Sequence, residues 1–399
     1  MKIADYKVFA VANPRPYIGG PCWIFVQLIT DGGVKGIGEI YGTPFRPPVV
    51  CQMAADVIER QMIGANPFRI EQMWRRAYSS AYTQKPDATL LAILSAVETA
   101  FWDIAGKELN RPVYDLLGGK VREQLRTYTY LYPQDGDAGY VEHCPQTAAA
   151  RAAQYVGEGF GAVKFDPLGA YGAFDPRQLS MPVLRRAREV VAAVREAVGD
   201  KCDILIGTHG QMTPSAAARL ARHLEEYDPL WLEEPVPPEN PQAMAQVAKK
   251  TTIPIAAGER LATKHEFARL LEAGGAAIVQ PQMGRCGGIL EAKKIAAIAE
   301  AHYAQVAPHL YCGPIAGAAA VQLSACIPNF LILEGLYKWD GFSAEILTTP
   351  FEWQDGNLTI PTTPGIGAEL NEEVAEKHKL KPNTPADKLH LTPAENPID

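Results

Sequence analysis

The sequence predicts an α/β protein built on a barrel of parallel strands, with a smaller α+β domain before it and a proline-rich tail after it. Three observations carry this reading. From about residue 125, short β-rich apolar runs alternate with longer helical patterns, as repeated βα units of a parallel sheet do. Eight such runs occur, and most of their ends lie about 25 residues apart, the length of one βα unit. Finally, 399 residues exceed what one hydrophobic core usually serves, so a domain of about 200 to 250 residues with a smaller companion is the natural division.

The opening segment alternates like a sheet. Residues 22–30 (CWIFVQLIT), a turn at Asp31-Gly32-Gly33 and residues 34–41 (VKGIGEIY) form a hairpin signal. Leu90, Leu94, Val97, Phe101 and Ile104 then recur every three or four residues, the mark of an amphipathic helix that ends near Gly106. Residues 1–122 therefore read as the α+β domain. The barrel, residues 123–344, takes its strands at 125–132, 162–165, 202–206, 230–232, 253–257, 277–280, 305–307 and 330–333, with an inserted loop at 169–182 in the one long gap. Residues 345–399 carry no βα repeat and are expected to fold back on the first domain.

Composition narrows the function classes. With 47% hydrophobic and 21% charged residues and a formal net charge of −7, the chain has no basic footprint for nucleic acid or an anionic membrane. The first residues contain no unbroken apolar stretch, and no run of about 18 apolar residues occurs, so a cytoplasmic protein is expected. Seven cysteines, an odd number without any C-x-x-C spacing, argue against a disulfide framework or structural zinc. Cys312 reads as a small buried hydrophobe rather than a nucleophile.

In such a barrel, a polar residue immediately after an apolar strand points into the mouth. The tips give Lys164 and Asp166, His209, Glu233 and Glu234, Glu259 and Arg260, Gln282, His309 and Glu334. Carboxylates on adjacent strands, here Glu233 and Glu259, can hold a hard cation such as Mg2+ while leaving positions open for substrate oxygens, the alternative being that they pair with arginine or lysine side chains. His209 and His309 lie across the mouth from one another, so one can remove a proton and the other donate one, with metal ligation the alternative for His209. The other histidines (His143, His223, His265, His302, His378 and His390) read as ordinary surface or core residues. Lys164 reads as a base, a carboxylate-binding cation or a partner of Asp166. Glu234 reads as structural, and Arg260 and Arg285 as anion-binding or structural cations.

Several segments in order, AVETAFWDIAGK (96–107), LLGG (116–119), WLEEP (231–235), IAAGER (255–260), Gly287-Gly288 and APHLYCGP (307–314), resemble the enolase superfamily, in its mandelate racemase-related branch of acid-sugar dehydratases. The resemblance is strongest to D-galactonate and D-mannonate dehydratase-like proteins. It implies a modified (β/α)7β barrel under a capping domain that the C-terminal tail completes. It also implies a Mg2+ ion that stabilises an enediolate. By the same resemblance Glu233 and Glu259 are metal ligands, His309 the base at C2, His209 the acid at the departing 3-hydroxyl, and Glu334 a substrate-binding glutamate. The product is then a 2-keto-3-deoxy acid.

Two positions depart from the pattern. Gly207 stands where the first metal aspartate is expected, so His209 or water would have to fill that place. Gln282 stands where an aspartate often orients the histidine base, and with Arg260 and Tyr311 it is also a candidate substrate contact. If His209 goes to the metal, Tyr311 or a metal-bound water becomes the proton donor. Capping loops at 16–23 and 42–48 set specificity, with Tyr17, Trp23 and Arg46 as candidate substrate contacts.

The expected partner is a small acid sugar, and the expected assembly a homo-oligomer. The rival functions are a racemase, epimerase or cycloisomerase of the same superfamily and a catalytically weak sugar-acid sensor.

Overall fold

The computed structural model describes residues 1–80, 87–134, 141, 144–168, 176–385 and 389. His143, His390 and the first part of the 169–182 loop lie outside these described residues.

Three antiparallel strands, β1 (Ile3–Ala12), β2 (Cys22–Thr30) and β3 (Lys35–Ile40), form the first sheet in that order. The predicted helix runs over Ala88–Glu108 and is capped by Asp87, whose side chain accepts the Leu90 N–H at 2.7 Å. It is apolar on nearly all sides because it is covered on nearly all sides, by β3 on one and by the helices Pro47–Gln61 and Ile70–Tyr78 on another. Close approach to β3 depends on glycine. A Cβ at Gly36 or Gly38 would stand 2.2 Å from the Ala100 carbonyl oxygen or 1.9 Å from that of Ala96. Although this helix is long and apolar enough to cross a membrane, its burial marks it as the core of the capping domain.

The second body is the barrel. Strands β4 (Gln124–Tyr130), β5 (Ala162–Phe165), β6 (Asp203–Gly207), β7 (Trp231–Glu233), β8 (Ile255–Ala257), β9 (Ile278–Val279) and β10 (Gln305–Val306) pair in sequence, all parallel. β11 (Leu333–Glu334) closes the ring by pairing with β4, and Phe330 bridges to Val306. Each of β4 to β10 is followed by a helix of eight residues or more, whereas β11 is followed only by the short turn of helix Phe342–Glu345. This is the (β/α)7β variant. Tyr128, Ala162, Leu205, Trp231, Ala256, Ile278, Ala307 and Ile332 fill the interior, so a ligand has room only at the open end of the strands.

Carboxylates of the capping domain fasten it to the barrel through helix N-termini, whose first N–H groups have no partner within the helix. Glu98 accepts the N–H groups of Ile289 (2.7 Å) and Leu290 (2.8 Å), which open the helix Ile289–Ala301. Glu39 does the same for the helix Pro314–Cys326 through Gly313 and Ala316. Asp103 accepts the N–H groups of Ile37 (3.0 Å) and Ile366 (2.9 Å) and pairs with Lys107 at 2.7 Å.

The tail reaches both bodies. Its hairpin, β12 (Trp353–Gln354) and β13 (Asn357–Thr359), adds antiparallel to the start of β4. Farther on, Glu372 pairs with Lys7 and Lys35, each at 2.7 Å, and the Leu380 N–H donates to the Ala10 carbonyl at 2.8 Å. The sequence reading foresaw the second docking and not the first.

Candidate active site

Alternation along the barrel strands decides which side chains enter the mouth. Side chains two apart share a face. Ala162, Leu205, Trp231 and Ile332 face inward, so Lys164, Gly207, Glu233 and Glu334 are the next inward positions toward the open end. Tyr130 follows Tyr128 in the same way. The register then sets the levels: Lys164 pairs with Leu205 and with Tyr130, and Gly207 pairs with Glu233, one step nearer the mouth.

Lys164 must therefore climb past β6 to reach β7. Its side chain does so directly over Gly207, and its ammonium lies 3.0 Å from Glu233 Oε1 and 3.1 Å from Glu334 Oε1. The rings of Tyr128 and Tyr130, with centroids 5.5 and 5.8 Å away, complete the enclosure. Burial alone would make the amine give up its proton, but Glu233 and Glu334 outweigh it and hold the ammonium well above its ordinary range. Lys164 is thus a fixed cation. Of the three sequence-based roles, this environment favours the carboxylate-binding cation, and the partners of the ammonium are Glu233 and Glu334 rather than Asp166.

Asp166 instead serves His209. Its Oδ2 lies 3.4 Å from His209 Nδ1 and accepts Gln211 Nε2–H at 2.6 Å, while its Oδ1 accepts the Leu168 N–H at 2.9 Å. The Gln211 side chain in turn accepts the His209 backbone N–H. Burial lowers the imidazole's affinity for a proton, yet the hydrogen bond it donates to Asp166 and the charges of Glu259, Asp166 and Glu233 raise its pKa to about 9. His209 is then an imidazolium at neutral pH, with a third of its side chain still open. The sequence reading named Asp166 but did not assign it this role.

His309 faces a different acid. Its Nε2 is 3.1 Å from Glu259 Oε2 and 3.9 Å from Glu334 Oε2, and its Nδ1 has no hydrogen-bond partner among the described residues. Glu334 steadies this corner by accepting the Leu310 N–H at 2.8 Å. Burial pushes the Glu259 carboxyl up, but His309, His209, Lys164 and Arg260 together bring it well below the usual carboxylate range.

These groups surround a cavity of about 620 Å³. Lys164, His209, Glu259, His309, Tyr311 and Glu334 line it from the barrel, and Pro16, Tyr17 and Tyr41 from the capping domain. Three expected substrate contacts do not line it. Trp23 is buried, donates its indole N–H to the Gly19 carbonyl at 2.8 Å and stacks on Phe342. Arg260 is held by Glu234 at 2.8 Å. Gln282 is fully buried, with its amide committed to Cys312 Sγ (3.2 Å) and the Gly284 N–H (2.5 Å), so it does not orient the His309 ring. Arg46 is exposed beyond the cavity. Arg285 is spent on the carbonyls of Gly42 and Glu259. Glu234 is structural through Arg260. Cys312 is a buried thiol pushed up by desolvation, and the cysteines are all free.

Mg2+ is held through one or two carboxylates, with water and substrate oxygens completing its octahedron, and the carboxylates here are already engaged with other side chains. Gly207 offers no ligand, Glu233 spends one oxygen on Lys164 and the other on the Trp231 indole N–H at 3.0 Å, Glu259 faces His309, and His209 faces Asp166. Among the described residues no group of three metal-ligating side chains is assembled. The expected metal ligands Glu233, Glu259 and His209 are thus each held by a side chain of the protein.

Comparison with known proteins agrees with this architecture. Residues 18–118 match the mandelate racemase/muconate lactonizing enzyme N-terminal domain, and residues 147–374 the enolase C-terminal domain-like family. The chain is 35% identical to the D-xylonate dehydratase of Haloferax volcanii, over 91% of this chain and 86% of that one. It is 33% identical to the D-galactonate dehydratase of Xanthomonas euvesicatoria, over 92% and 93%. The crystal structure of a mandelate racemase/muconate lactonizing enzyme from a Sulfitobacter species superposes with a TM-score of 0.95 at 45% identity, over the full length of both chains. Members of this superfamily generally use a divalent metal, which sharpens the contrast at Gly207. In fold, in domain order and in sequence, the chain belongs to the mandelate racemase/muconate lactonizing enzyme family of the enolase superfamily.

Proposed function

We propose that the enzyme dehydrates an acid sugar, a hydroxylated carboxylic acid of five or six carbons, by removing the proton at C2 and expelling the 3-hydroxyl to leave a 2-keto-3-deoxy acid. The observation that carries this reading is the presence of two histidines, each with its own carboxylate, in one cavity: His309 with Glu259 and His209 with Asp166. Dehydration needs a base and an acid together, and this pairing separates the roles.

His309 turns its Nε2 edge to Glu259 and Glu334 at the cavity, and this edge is where it meets the substrate proton as base. As the ring takes the substrate proton, the anionic Glu259 stabilises the imidazolium. His209 arrives protonated and gives its proton to the departing hydroxyl, after which Asp166 keeps the neutral ring in place. Lys164 supplies positive charge at the floor of the mouth, where the substrate carboxylate gathers electron density during enolisation. Tyr17, Tyr41 and Tyr311 line the wall that a polyol chain would face. Mg2+ is given no step, because its expected ligands are otherwise engaged. Relatives named for D-xylonate and D-galactonate dehydration support the substrate class.

The test is keto-acid formation from a panel of five- and six-carbon aldonates. Keto acid from any of them supports dehydration. Saturable binding without product would leave an acid-sugar binder and end the dehydratase reading, while an epimer of unchanged mass would replace it with a racemase.

A further inference from the structure

The disagreement between the family's metal and this chain's residues has a definite geometry. Gly207 has an ordinary strand conformation and is not among the residues with positive φ, so its backbone does not call for glycine. What calls for glycine is space. A Cβ there would stand 3.0 Å from Lys164 Cγ, 3.1 Å from Cδ and 3.3 Å from Cε. An aspartate would need more room still, and the lysine stem already fills it. The residue that removes a ligand and the residue that brings a cation are therefore two halves of one arrangement, on the adjacent strands β5 and β6.

We propose that the Lys164 ammonium takes the place of a divalent cation in this chain, so that the site binds its acid-sugar ligand without a metal ion. The two changes balance electrostatically. Glycine in place of aspartate removes one negative charge, and an ammonium in place of a divalent ion removes one positive charge. The ammonium is held as a bound ion would be, between carboxylates contributed by different strands, Glu233 of β7 and Glu334 of β11. The second oxygen of Glu233 accepts the Trp231 indole N–H, so an incoming metal would meet a carboxylate with both oxygens already engaged. The inference depends on the functional reading only for the identity of the ligand; the position of the cation stands without it.

Mn2+ binding to the intact protein, followed by electron paramagnetic resonance, tests this directly. The wild-type chain is expected to leave added Mn2+ free, and its melting temperature and acid-sugar affinity are expected to be the same in Mg2+ and in EDTA. The double variant Gly207→Asp/Lys164→Ala, which restores an acid and clears the space, is expected to bind Mn2+ at least tenfold more tightly than wild type. One tightly bound Mn2+ per wild-type chain, or an acid-sugar affinity lost in EDTA and restored by Mg2+, would overturn the proposal. Because the decisive measurement is on the wild-type protein, misfolding of the variant does not blunt it. Absence of keto acid from every aldonate would strike the dehydratase reading and leave the Mn2+ result to decide this one.

Discussion

The side chain of Lys164 lies across the face of Gly207 and places its ammonium between Glu233 and Glu334. A methyl group at position 207 would press on three carbons of that stem. Gly207→Ala is therefore expected to destabilise the fold by about 1–3 kcal/mol, the usual range for overpacking, and to weaken acid-sugar binding at the same time. Chemical denaturation read beside a binding titration checks both. An unchanged affinity in a well-folded variant would show that the position of Lys164 does not matter to the ligand.

The two histidines should separate under isotope exchange. His209→Asn removes the acid and leaves the base, so the C2 proton should still exchange with solvent deuterium while water loss falls by about 10²–10⁴-fold. His309→Asn should abolish exchange and water loss together. Exchange retained in His309→Asn would reassign the base.

Asp166 should control the charge of His209. Titration of the His209 ring by NMR is expected to give a midpoint of about 9 in the wild type and a value near the ordinary imidazole range in Asp166→Asn. The sign follows from linkage. A pKa raised on folding contributes stability that is fully present below the unfolded value of about 6.5 and is lost as pH rises through the folded value. Turnover that requires a protonated His209 should fall over the same alkaline limb, and in Asp166→Asn that limb should move to lower pH.

Glu98 should matter to stability and not to chemistry. Replacing it by alanine leaves the N–H groups of Ile289 and Leu290 and the indole N–H of Trp102 without their acceptor. The expected loss is about 2–5 kcal/mol, read by calorimetry. Glu98→Gln keeps an acceptor and should recover part of it.

Much of this was legible beforehand because it rests on local rules. Apolar runs at βα spacing marked all eight strands, and the polar residues just past them include His209, Glu259 and His309, which line one cavity. What the sequence could not show was lateral reach. Nothing in AVKF indicates that Lys164 crosses a neighbouring strand, and Gly207 registered as a missing ligand rather than as room for another side chain. Gln282, Arg260 and Trp23 were misplaced for a related reason: position near a tip does not say whether a long side chain turns to the cavity or to a buried partner such as Cys312, Glu234 or Gly19. Asp166 was visible as a tip residue, and its spacing of two from Lys164 suggested the wrong partner.

The most direct measurement is the reaction of an aldonate panel in deuterium oxide with EDTA present, followed by mass spectrometry of the products. This account predicts a keto acid lighter than its substrate by one water and carrying solvent deuterium at C3. Unaltered substrate from every member of the panel, or product that forms only when Mg2+ is returned, would contradict it.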